Sequence, residues 1–216
     1  MLENSLRKYL NFKNGFFIEV GAHDGVFQSN TLKLEKELSW KGFLIEPSLN
    51  SYLSCLKNRP NSTCFNLALT SFKNYKKKNF VYGNFNDSPM SKVIGNISGF
   101  SIFKNFINFI KQIFFKKINS ISALPLQSLI DFFMIKEIDF LSLDVEGYEY
   151  EVLKGINFDI SRPKYILIEV RDVQKDKIFN FMKNSNYQYL ENISNFNYKD
   201  FPKWDGTHQD YIFKAL

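Results

Sequence analysis

Residues 16–25 have the sequence FFIEVGAHDG, in which a strand-like run leads into a turn bounded by two glycines. The first five residues are apolar except for Glu19, as is typical of a strand buried in a parallel sheet. Gly21 and Gly25 then bracket a tight turn before a predicted helix at residues 29–38. Because such a turn lets backbone approach a small molecule at the carboxyl end of a sheet, it predicts a site for a nucleotide-like cofactor.

Strand and helix patterns alternate along the remaining chain, and the length of 216 residues fits a single domain. The alternation predicts a doubly wound α/β fold, in which a parallel sheet carries helices on both faces. Strands are predicted at residues 16–20, 42–46, 64–69, 138–144, 164–170, 187–191 and 211–214. Helices are predicted at residues 29–38, 49–58, 148–153 and 175–184.

Residues 71–124 interrupt this alternation and are too long for a plain connection, which predicts an insertion with its own structure or a mobile lid. Within it, apolar residues recur at helical spacing over residues 102–114, with lysines and asparagines between them, which predicts a basic amphipathic helix. Three roles for this helix stay open. It packs on the domain or on a second subunit of a homo-oligomer, it contacts a membrane surface, or it covers the substrate.

The net charge of +6 has a local source, because residues 71–117 contain nine lysines and one acid, Asp87. This excess favours an anionic partner, namely a phosphorylated or nucleotide-linked substrate, a membrane surface or nucleic acid. A solvated lysine-rich surface is the simpler interpretation. The chain has no apolar run of roughly 20 residues and no apolar signal core at its start, so we expect a cytoplasmic protein. Cys55 and Cys64 follow no metal-ligand spacing and are predicted to be reduced thiols in the interior.

Glu46 ends the second predicted strand and follows the glycine turn by roughly twenty residues, the position that reaches the ribose of a bound nucleoside. The turn itself is unlike a pyrophosphate-binding turn, because His23 and Asp24 occupy the place of the middle glycine. The charge of Asp24 also disfavours a diphosphate. We therefore predict S-adenosylmethionine, with His23 and Asp24 among its contacts, over the alternative of a nicotinamide-dependent oxidoreductase.

Two segments resemble the two signatures of the FkbM family of S-adenosylmethionine-dependent methyltransferases. They are FFIEVGAHDGVFQSNTLKLEKELSWKGFLIEP at residues 16–47 and IDFLSLDVEGYEYEVLKGINF at residues 138–158. With CFNLALT at residues 64–70 and KYILIEV at residues 164–170, the resemblance spans residues 16–170. It implies the Rossmann-like sheet of class I methyltransferases, mostly parallel with a late antiparallel strand beside the fifth. It also implies O-methylation, often of sugars or polyketides.

The resemblance also implies cofactor contacts at individual positions. Glu19, Gly21 and Gly25 would line the methionine end of the cofactor, and Glu46 would hold the ribose. Asn66 and Ala68 would lie near the adenine, and Ser29 and Asn30 match the family's SNT element after the turn. Residues 71–124 align with no family pattern, so the resemblance leaves the acceptor open.

Activation of an acceptor hydroxyl requires a base or a metal ion, and three residues converge at one sheet edge in the predicted topology. Asp144 ends the fourth strand and Glu169 lies near the end of the fifth, while His208 begins an antiparallel last strand. One histidine and two carboxylates suit a Mg²⁺ or Mn²⁺ site that lowers the pKa of a hydroxyl. Alternatively, His208 or His23 acts as a metal-free base. A third alternative makes Glu169 a strand-end cap and His208 a surface turn residue.

The DVEGYE segment contains two further acids, Glu146 and Glu149, which stand on either side of Gly147 and have different predicted roles. Glu149 is expected to favour the dipole of the following helix. Glu146 is a candidate contact for cofactor or metal. Asp144 is also a candidate cofactor contact, because an acid at a strand end faces the crevice.

The sequence therefore predicts an O-methyltransferase that acts on a carbohydrate hydroxyl, in a nucleotide-linked sugar or a surface-polysaccharide precursor. An anionic acceptor suits the lysine-rich insertion. A nucleic-acid substrate is not expected, because the chain lacks the Asn/Asp-Pro-Pro-Tyr/Phe signature that holds a flipped base. A non-catalytic, membrane-associated protein on the same fold is the remaining alternative.

Overall fold

The computed structural model describes residues 5–77, 80–84, 92–96, 119–194, 196–197, 199 and 204–216. Its strands are β1 (Phe16–Val20), β2 (Lys41–Ile45), β3 (Thr63–Phe65), β4 (Ala68–Leu69), β5 (Phe80–Asn84), β6 (Lys92–Asn96), β7 (Asn119–Leu124), β8 (Phe140–Leu143), β9 (Tyr165–Arg171), β10 (Tyr187–Asn192) and β11 (His208–Ala215). Its helices are α1 (Leu32–Leu38), α2 (Leu49–Asn58), α3 (Phe72–Lys77), α4 (Leu126–Phe132), α5 (Glu149–Leu153) and α6 (Lys175–Asn184).

Seven strands form the main sheet in the order β10-β11-β9-β8-β1-β2-β3. Strands β9, β8, β1, β2 and β3 are parallel neighbours, and β11 runs antiparallel to both β9 and β10. This topology confirms the predicted doubly wound, mostly parallel sheet with a late antiparallel strand beside the fifth parallel one. Val20 at the end of β1 is opposite both Ile45 and Leu143, so the carboxyl ends of three central strands are level.

Two apolar clusters cover the two faces of the main sheet, as strand alternation requires. On one face Ile18 packs in a cluster with Val152 of α5 and Ile178 of α6. On the other face Phe17 packs in a cluster with Leu34 of α1 and Cys55 of α2. Helices therefore lie on both faces, and odd-numbered residues of β1 share the face of α1 and α2.

The predicted strand at residues 64–69 is two short strands in different sheets. β3 extends the main sheet beside β2, whereas β4 pairs with β7 in a four-stranded sheet of order β4-β7-β5-β6. Asn66 causes the break, because its side-chain Nδ2 donates to the carbonyls of Glu46 and Pro47, both at 3.0 Å. The chain thereby turns away from β2 after Phe65.

The region at residues 71–124 contributes α3, β5, β6 and β7, and its three strands complete the second sheet. The predicted amphipathic helix at residues 102–114 lies outside the described residues, so the roles predicted for it, in membrane contact or oligomer formation, remain predictions. In the described part of the chain, no helix combines the length and the apolar character needed to cross a membrane.

Candidate functional site

The glycine turn lies across the carboxyl ends of the three central strands. The backbone N–H groups of Gly21 and Ala22 donate to the carbonyl of Ile45 at 2.9 and 3.2 Å. Gly21 has a φ of +84°, and a Cβ there would lie 1.8 Å from the carbonyl oxygen of Asp144. Glycine at this position is therefore required by the close passage of β1's exit against the end of β8.

Glu19 holds the segment that follows the turn. Its side chain projects from β1 to the face of α1 and is 4% exposed. Its carboxylate accepts hydrogen bonds from the Ser29 hydroxyl at 2.9 Å, the Asn30 amide at 2.7 Å and the Thr31 hydroxyl at 2.6 Å. These bonds explain why α1 begins at Leu32, later than predicted. They also make Glu19 and Ser29 positioning residues for the turn, although both are predicted cofactor contacts.

Asn30 extends this network to β8, because its side-chain Nδ2 donates to the Ser142 hydroxyl at 3.0 Å. Burial raises the pKa of Glu19, and the hydrogen bond from Thr31 and the charge of Arg59 oppose that shift. The segment after the turn is thus fastened to two adjacent strands by polar side chains.

Arg59, which was not predicted as a site residue, stabilises the glycine turn through buried hydrogen bonds. Its side chain is fully buried, and its guanidinium donates to Glu35 at 2.8 Å, to the Gly25 carbonyl at 2.9 Å and to Thr31 at 3.0 Å. A Cβ at Gly25, where φ is +77°, would lie 2.7 Å from Arg59 Cγ. Only the three-dimensional packing of α2 against the turn reveals this role, since an arginine after a helix is otherwise unremarkable in sequence.

Glu46 lies at the carboxyl end of β2 and is 6% exposed. Its Oε2 accepts from the backbone N–H of His23 at 2.9 Å, and its Oε1 accepts from that of Ser48 at 2.7 Å. A carboxylate has about four acceptor positions, so these two bonds are compatible with further hydroxyl donors. The structure thus brings Glu46 directly against the glycine turn, as the predicted ribose contact requires.

Asp24 shapes the turn through its own backbone. Its Oδ1 accepts from the N–H groups of Val26 at 2.9 Å and Phe27 at 2.7 Å. Burial alone would raise the pKa of Asp24, but the hydrogen bonds from Phe27 and Val26 outweigh it and lower the pKa. His23 has a φ of +47°, and its buried Nδ1 has no hydrogen-bond partner.

The two residues predicted to lie near an adenine have different surroundings. Asn66 donates to the end of β2 and so lies beside Glu46. Ala68 is 5% exposed and packs with Ala123 and Ile121 of the second sheet. The adenine contacts therefore remain predictions, and Asn66 additionally defines the path of the chain.

Three carboxyl groups meet at the carboxyl edge between β8 and β9. Oxygen atoms of Asp144, Glu146 and Glu169 all lie within 4.8 Å of one another. Burial, followed by the charges of Asp144 and Glu146, raises the pKa of Glu169 to about 11. Burial also raises the pKa of Asp144 and of Glu146. Arg171 supplies a counter-charge through a short ion pair with Glu146, and its Nε lies 3.9 Å from Glu169.

The structure brings Asp144 and Glu169 together with Glu146, whereas the ring of His208 faces Asp205, so the predicted part of His208 in a metal site remains a prediction. The His208 ring Nδ1 lies 3.0 Å from the Asp205 carboxylate, and its residue pairs with Arg171 in the sheet register. Glu146 joins the two acids, because its φ of +56° turns the chain back toward the strand ends. A single sequence does not reveal that backbone conformation.

Two further buried acids surround the cluster. Asp210 is directly opposite Glu169 in the antiparallel pair and is 9% exposed, and burial followed by the charge of Asp144 raises its pKa to about 7. The sequence analysis missed Asp210, although the register of an antiparallel last strand indicates it. Glu149 accepts from the N–H groups of Val145 and Gly147 at 3.0 and 2.9 Å, so it fixes the DVEG turn as well as beginning α5.

The polar groups at the glycine turn fit a cofactor that contains a nucleoside. The buried Nδ1 of His23 makes no hydrogen bond and lies 3.6 Å from the Asp24 carboxylate, in the turn whose backbone N–H contacts Glu46. A polar ligand atom beside the turn would satisfy that nitrogen, and ribose hydroxyls are suitable donors to the Glu46 carboxylate.

Comparison with known proteins gives a consistent result. The methyltransferase FkbM domain family matches residues 19–189. The precorrin-6y C5,15-methyltransferase of Geobacter metallireducens GS-15 superimposes with a TM-score of 0.52 at 10% identity, covering 99% of this chain and 87% of that chain. Methyltransferase FkbM of Methylobacillus flagellatus KT gives a TM-score of 0.51 at 13% identity, covering 92% of this chain but 43% of that chain. No curated protein matches the chain in sequence.

The two structural likenesses show the class I methyltransferase fold that the strand order indicates. The family match contains the glycine turn, Glu46 and all three carboxyl groups of the cluster. It favours methyl transfer over the nicotinamide-dependent and non-catalytic alternatives. The chain belongs to the FkbM methyltransferase domain family.

Proposed function

We propose that the protein transfers a methyl group from S-adenosylmethionine to a hydroxyl of an anionic carbohydrate. A nucleotide-linked sugar or a surface-polysaccharide precursor is the proposed acceptor class. The observation that carries the proposal is the position of Glu46 and the glycine turn at the same sheet edge as the Asp144–Glu169 carboxyl groups.

Glu46 and the turn form the proposed donor side of this edge. The cofactor would supply an electrophilic methyl group: an acceptor oxygen would bond to the methyl carbon as the carbon–sulfur bond breaks, the thioether S-adenosylhomocysteine would leave, and the hydroxyl proton would be released. Glu46 accepts hydrogen bonds from ribose hydroxyls, and Glu19 and Arg59 keep the turn in the conformation that contacts the rest of the ligand. The main contribution of such a site is alignment of the reacting atoms, which is worth about 7–11 kcal/mol.

Asp144 and Glu169 form the proposed acceptor side. Their carboxyl groups are at the ends of adjacent parallel strands, at the same sheet edge as the glycine turn. We propose that Asp144 accepts the hydrogen bond of the acceptor hydroxyl and so orients its oxygen. Neither His208 nor His23 is needed for that contact.

Exposed lysines of α3 support an anionic acceptor. Lys76 and Lys77 lie in the last turn of α3, and Asn74 of the same helix donates to the Tyr148 hydroxyl at 3.3 Å. Tyr148 directly precedes α5 and follows the DVEG turn, so α3 contacts the segment that leaves the proposed acceptor side. Phosphate groups of an acceptor are suitable partners for them.

The proposal is tested by incubating the protein with labelled S-adenosylmethionine and a panel of nucleotide sugars, followed by mass spectrometry of the products. We expect one sugar to gain a methyl group on oxygen. The double variant Lys76→Ala/Lys77→Ala should raise KM about tenfold with little change in kcat, because it removes contacts that do not change during transfer.

The matched control is Lys41→Ala/Lys136→Ala, which removes two exposed lysines at the amino edge of the sheet. Its KM should equal that of the wild type. An unchanged KM in the Lys76/Lys77 variant would show that these lysines do not bind the acceptor. Methylation of nitrogen or carbon, or of none of the sugars, would contradict the proposed reaction.

A further inference from the structure

Buried acids form a row across the carboxyl edge of the main sheet. By strand alternation Glu19, Asp144, Glu169 and Asp210 project to the same face, from β1, the end of β8, β9 and β11. Glu19, Glu169 and Asp210 are less than 10% exposed, at 4%, 7% and 9%. Such a row of carboxyl groups is unusual, because buried acids are normally paired with cations or metal ions.

Glu19 is accounted for by its hydrogen bonds, whereas Glu169 is not. Its Oε1 is buried and has no hydrogen-bond partner, although its side chain is 9% exposed. The oxygens of Glu169 lie within 4.8 Å of those of Asp144 and Glu146. An unpartnered buried oxygen directed into a group of like charges indicates a missing positive partner.

The described cation nearest to that oxygen does not reach hydrogen-bond distance, because Arg171 Nε lies 3.9 Å from Glu169 Oε1. Arg171 is the basic side chain recorded within 4.0 Å of the three carboxyl groups in the described part of the chain, and it pairs with Glu146. Three carboxylates and one guanidinium leave a formal charge of −2 when all are ionised (−3 + 1 = −2). The ring of His208 contacts Asp205, with Nδ1 3.0 Å from that carboxylate, and is not counted among these groups.

We propose that Asp144, Glu146 and Glu169 bind one divalent cation, Mg²⁺ or Mn²⁺. Hard cations prefer carboxylate oxygens, and three protein ligands leave open positions for water or for oxygens of a ligand. A divalent ion would balance the formal charge that the cluster carries when all three carboxyl groups are ionised. Glu146 thus replaces His208 in the ligand set predicted from the sequence.

The role of this ion rests on the proposed function, whereas its binding does not. An acceptor hydroxyl in an open position would be oriented beside the glycine turn, and its pKa would fall. Because an ion at Asp144 and Glu169 lies on the acceptor side, the binding of S-adenosylmethionine through Glu46 is expected to be independent of it.

The test uses the full chain with Mn²⁺ alone, without methyl donor or acceptor. The electron paramagnetic resonance signal of free Mn²⁺ falls as the ion binds, so a titration gives affinity and stoichiometry. We expect one site per chain, displaced by Mg²⁺. Glu146→Gln and Glu169→Gln should each weaken Mn²⁺ binding at least tenfold, since each removes one charged ligand.

Two matched variants sharpen the result. His208→Ala should keep the wild-type Mn²⁺ affinity, because its ring does not join the cluster. Glu137→Gln removes an acid whose side chain is 75% exposed and should also have no effect. Thermal unfolding shows beforehand which glutamine variants are folded, and a single folded one suffices for the comparison.

Three results would overturn the proposal: no saturable Mn²⁺ binding by the wild-type chain, wild-type affinity in a folded glutamine variant, or loss of binding in His208→Ala. If the protein transfers the methyl group but does not bind Mn²⁺, the proposed cation site is refuted and the proposed function stands. Conversely, if the protein binds Mn²⁺ but methylates no sugar of the panel, the proposed function is refuted and the proposed cation site stands.

Discussion

Arg59 carries a positive charge into the interior, where it contacts two acids and the backbone of the glycine turn. Its side chain is fully buried, and it lies 2.8 Å from Glu35 and 3.8 Å from Glu19. Because Arg59→Met leaves both carboxylates without their cation, we expect a loss of about 3–5 kcal/mol in the free energy of unfolding. Urea denaturation at neutral pH measures it.

Arg7→Met is the control for Arg59→Met. Arg7 pairs with Glu37 at the surface, with side chains 34% and 50% exposed. The free energy of unfolding should change by less than about 1 kcal/mol in this variant. Equal losses in the two variants would show that the turn does not depend on the buried guanidinium.

Asp24 makes the shape of the turn depend on pH. Hydrogen bonds from Phe27 and Val26 lower its pKa against the effect of burial, so its charged form stabilises the folded turn. That stabilisation is present above the unfolded-state pKa of about 3.9 and is lost as the pH falls through the lower folded-state pKa. We expect protection of the Val26 and Phe27 amides against hydrogen exchange to decline below about pH 4.

Asp24→Asn and Asp24→Ala separate charge from hydrogen bonding at this turn. The asparagine oxygen still accepts from the two amides, so their protection should persist and lose its pH dependence in this range. Alanine accepts nothing, and protection should be low at every pH. If the protection of the Val26 and Phe27 amides still declines at low pH in Asp24→Asn, a titratable group other than Asp24 causes the decline.

Individual site residues were predictable where strand ends alone determine their place. Asp144 and Glu169 meet at one edge as the alternation of strands and helices indicates. Glu146 joins them only through a left-handed backbone conformation, and Asp210 only through the register of β11. Neither feature follows from local sequence, because both depend on how distant segments pack.

Among the elements, periodic segments were predicted well and the boundary between the two sheets was not. α6 has the predicted bounds, β9 is shifted by one residue, and β11 begins three residues earlier and ends one residue later than predicted. The run CFNLAL has the apolar character of one strand, but the side-chain amide of Asn66 competes with sheet pairing by bonding to the end of β2. α4, at Leu126–Phe132, was not predicted.

Asn66 therefore offers a prediction about these elements. Asn66→Asp replaces two donors with a carboxylate that faces the carbonyls of Glu46 and Pro47, both 3.0 Å from the present nitrogen. We expect it to lower the free energy of unfolding by more than Asn66→Ala, which loses about 1–3 kcal/mol. Urea denaturation at pH 7 measures both.

The difference in the free energy of unfolding between Asn66→Asp and Asn66→Ala should become smaller as the aspartate is protonated below about pH 4. Asn61→Asp, at an exposed position before β3, should have little effect at either pH. Equal stabilities of Asn66→Asp and Asn66→Ala at pH 7 would mean that the carbonyls at the end of β2 do not determine where β3 ends.

For the whole molecule, the fold predicts where a ligand stabilises the protein. The glycine turn joins the ends of β2, β1 and β8, so a ligand bound there would lie at the end of β1 and of both its neighbours in the main sheet. Residues 71–124 add a second sheet that the alternating pattern does not predict. The identity of the methyl acceptor is the least predictable feature, because the lysines of residues 71–124 are its main signal in the sequence and indicate only that it is anionic.

S-adenosylmethionine should raise the melting temperature of the folded chain, since a ligand that binds only the native state stabilises it by mass action. At one hundred times its dissociation constant the gain is about 2.7 kcal/mol, or roughly 5–11 °C for a domain of this size. NAD should cause no shift, because His23 and Asp24 fill the place of a pyrophosphate. Glu46→Gln should weaken binding about tenfold to hundredfold, through the loss of charged hydrogen bonds. A shift with NAD and none with S-adenosylmethionine would contradict the donor assigned to this edge, whichever acceptor the protein uses.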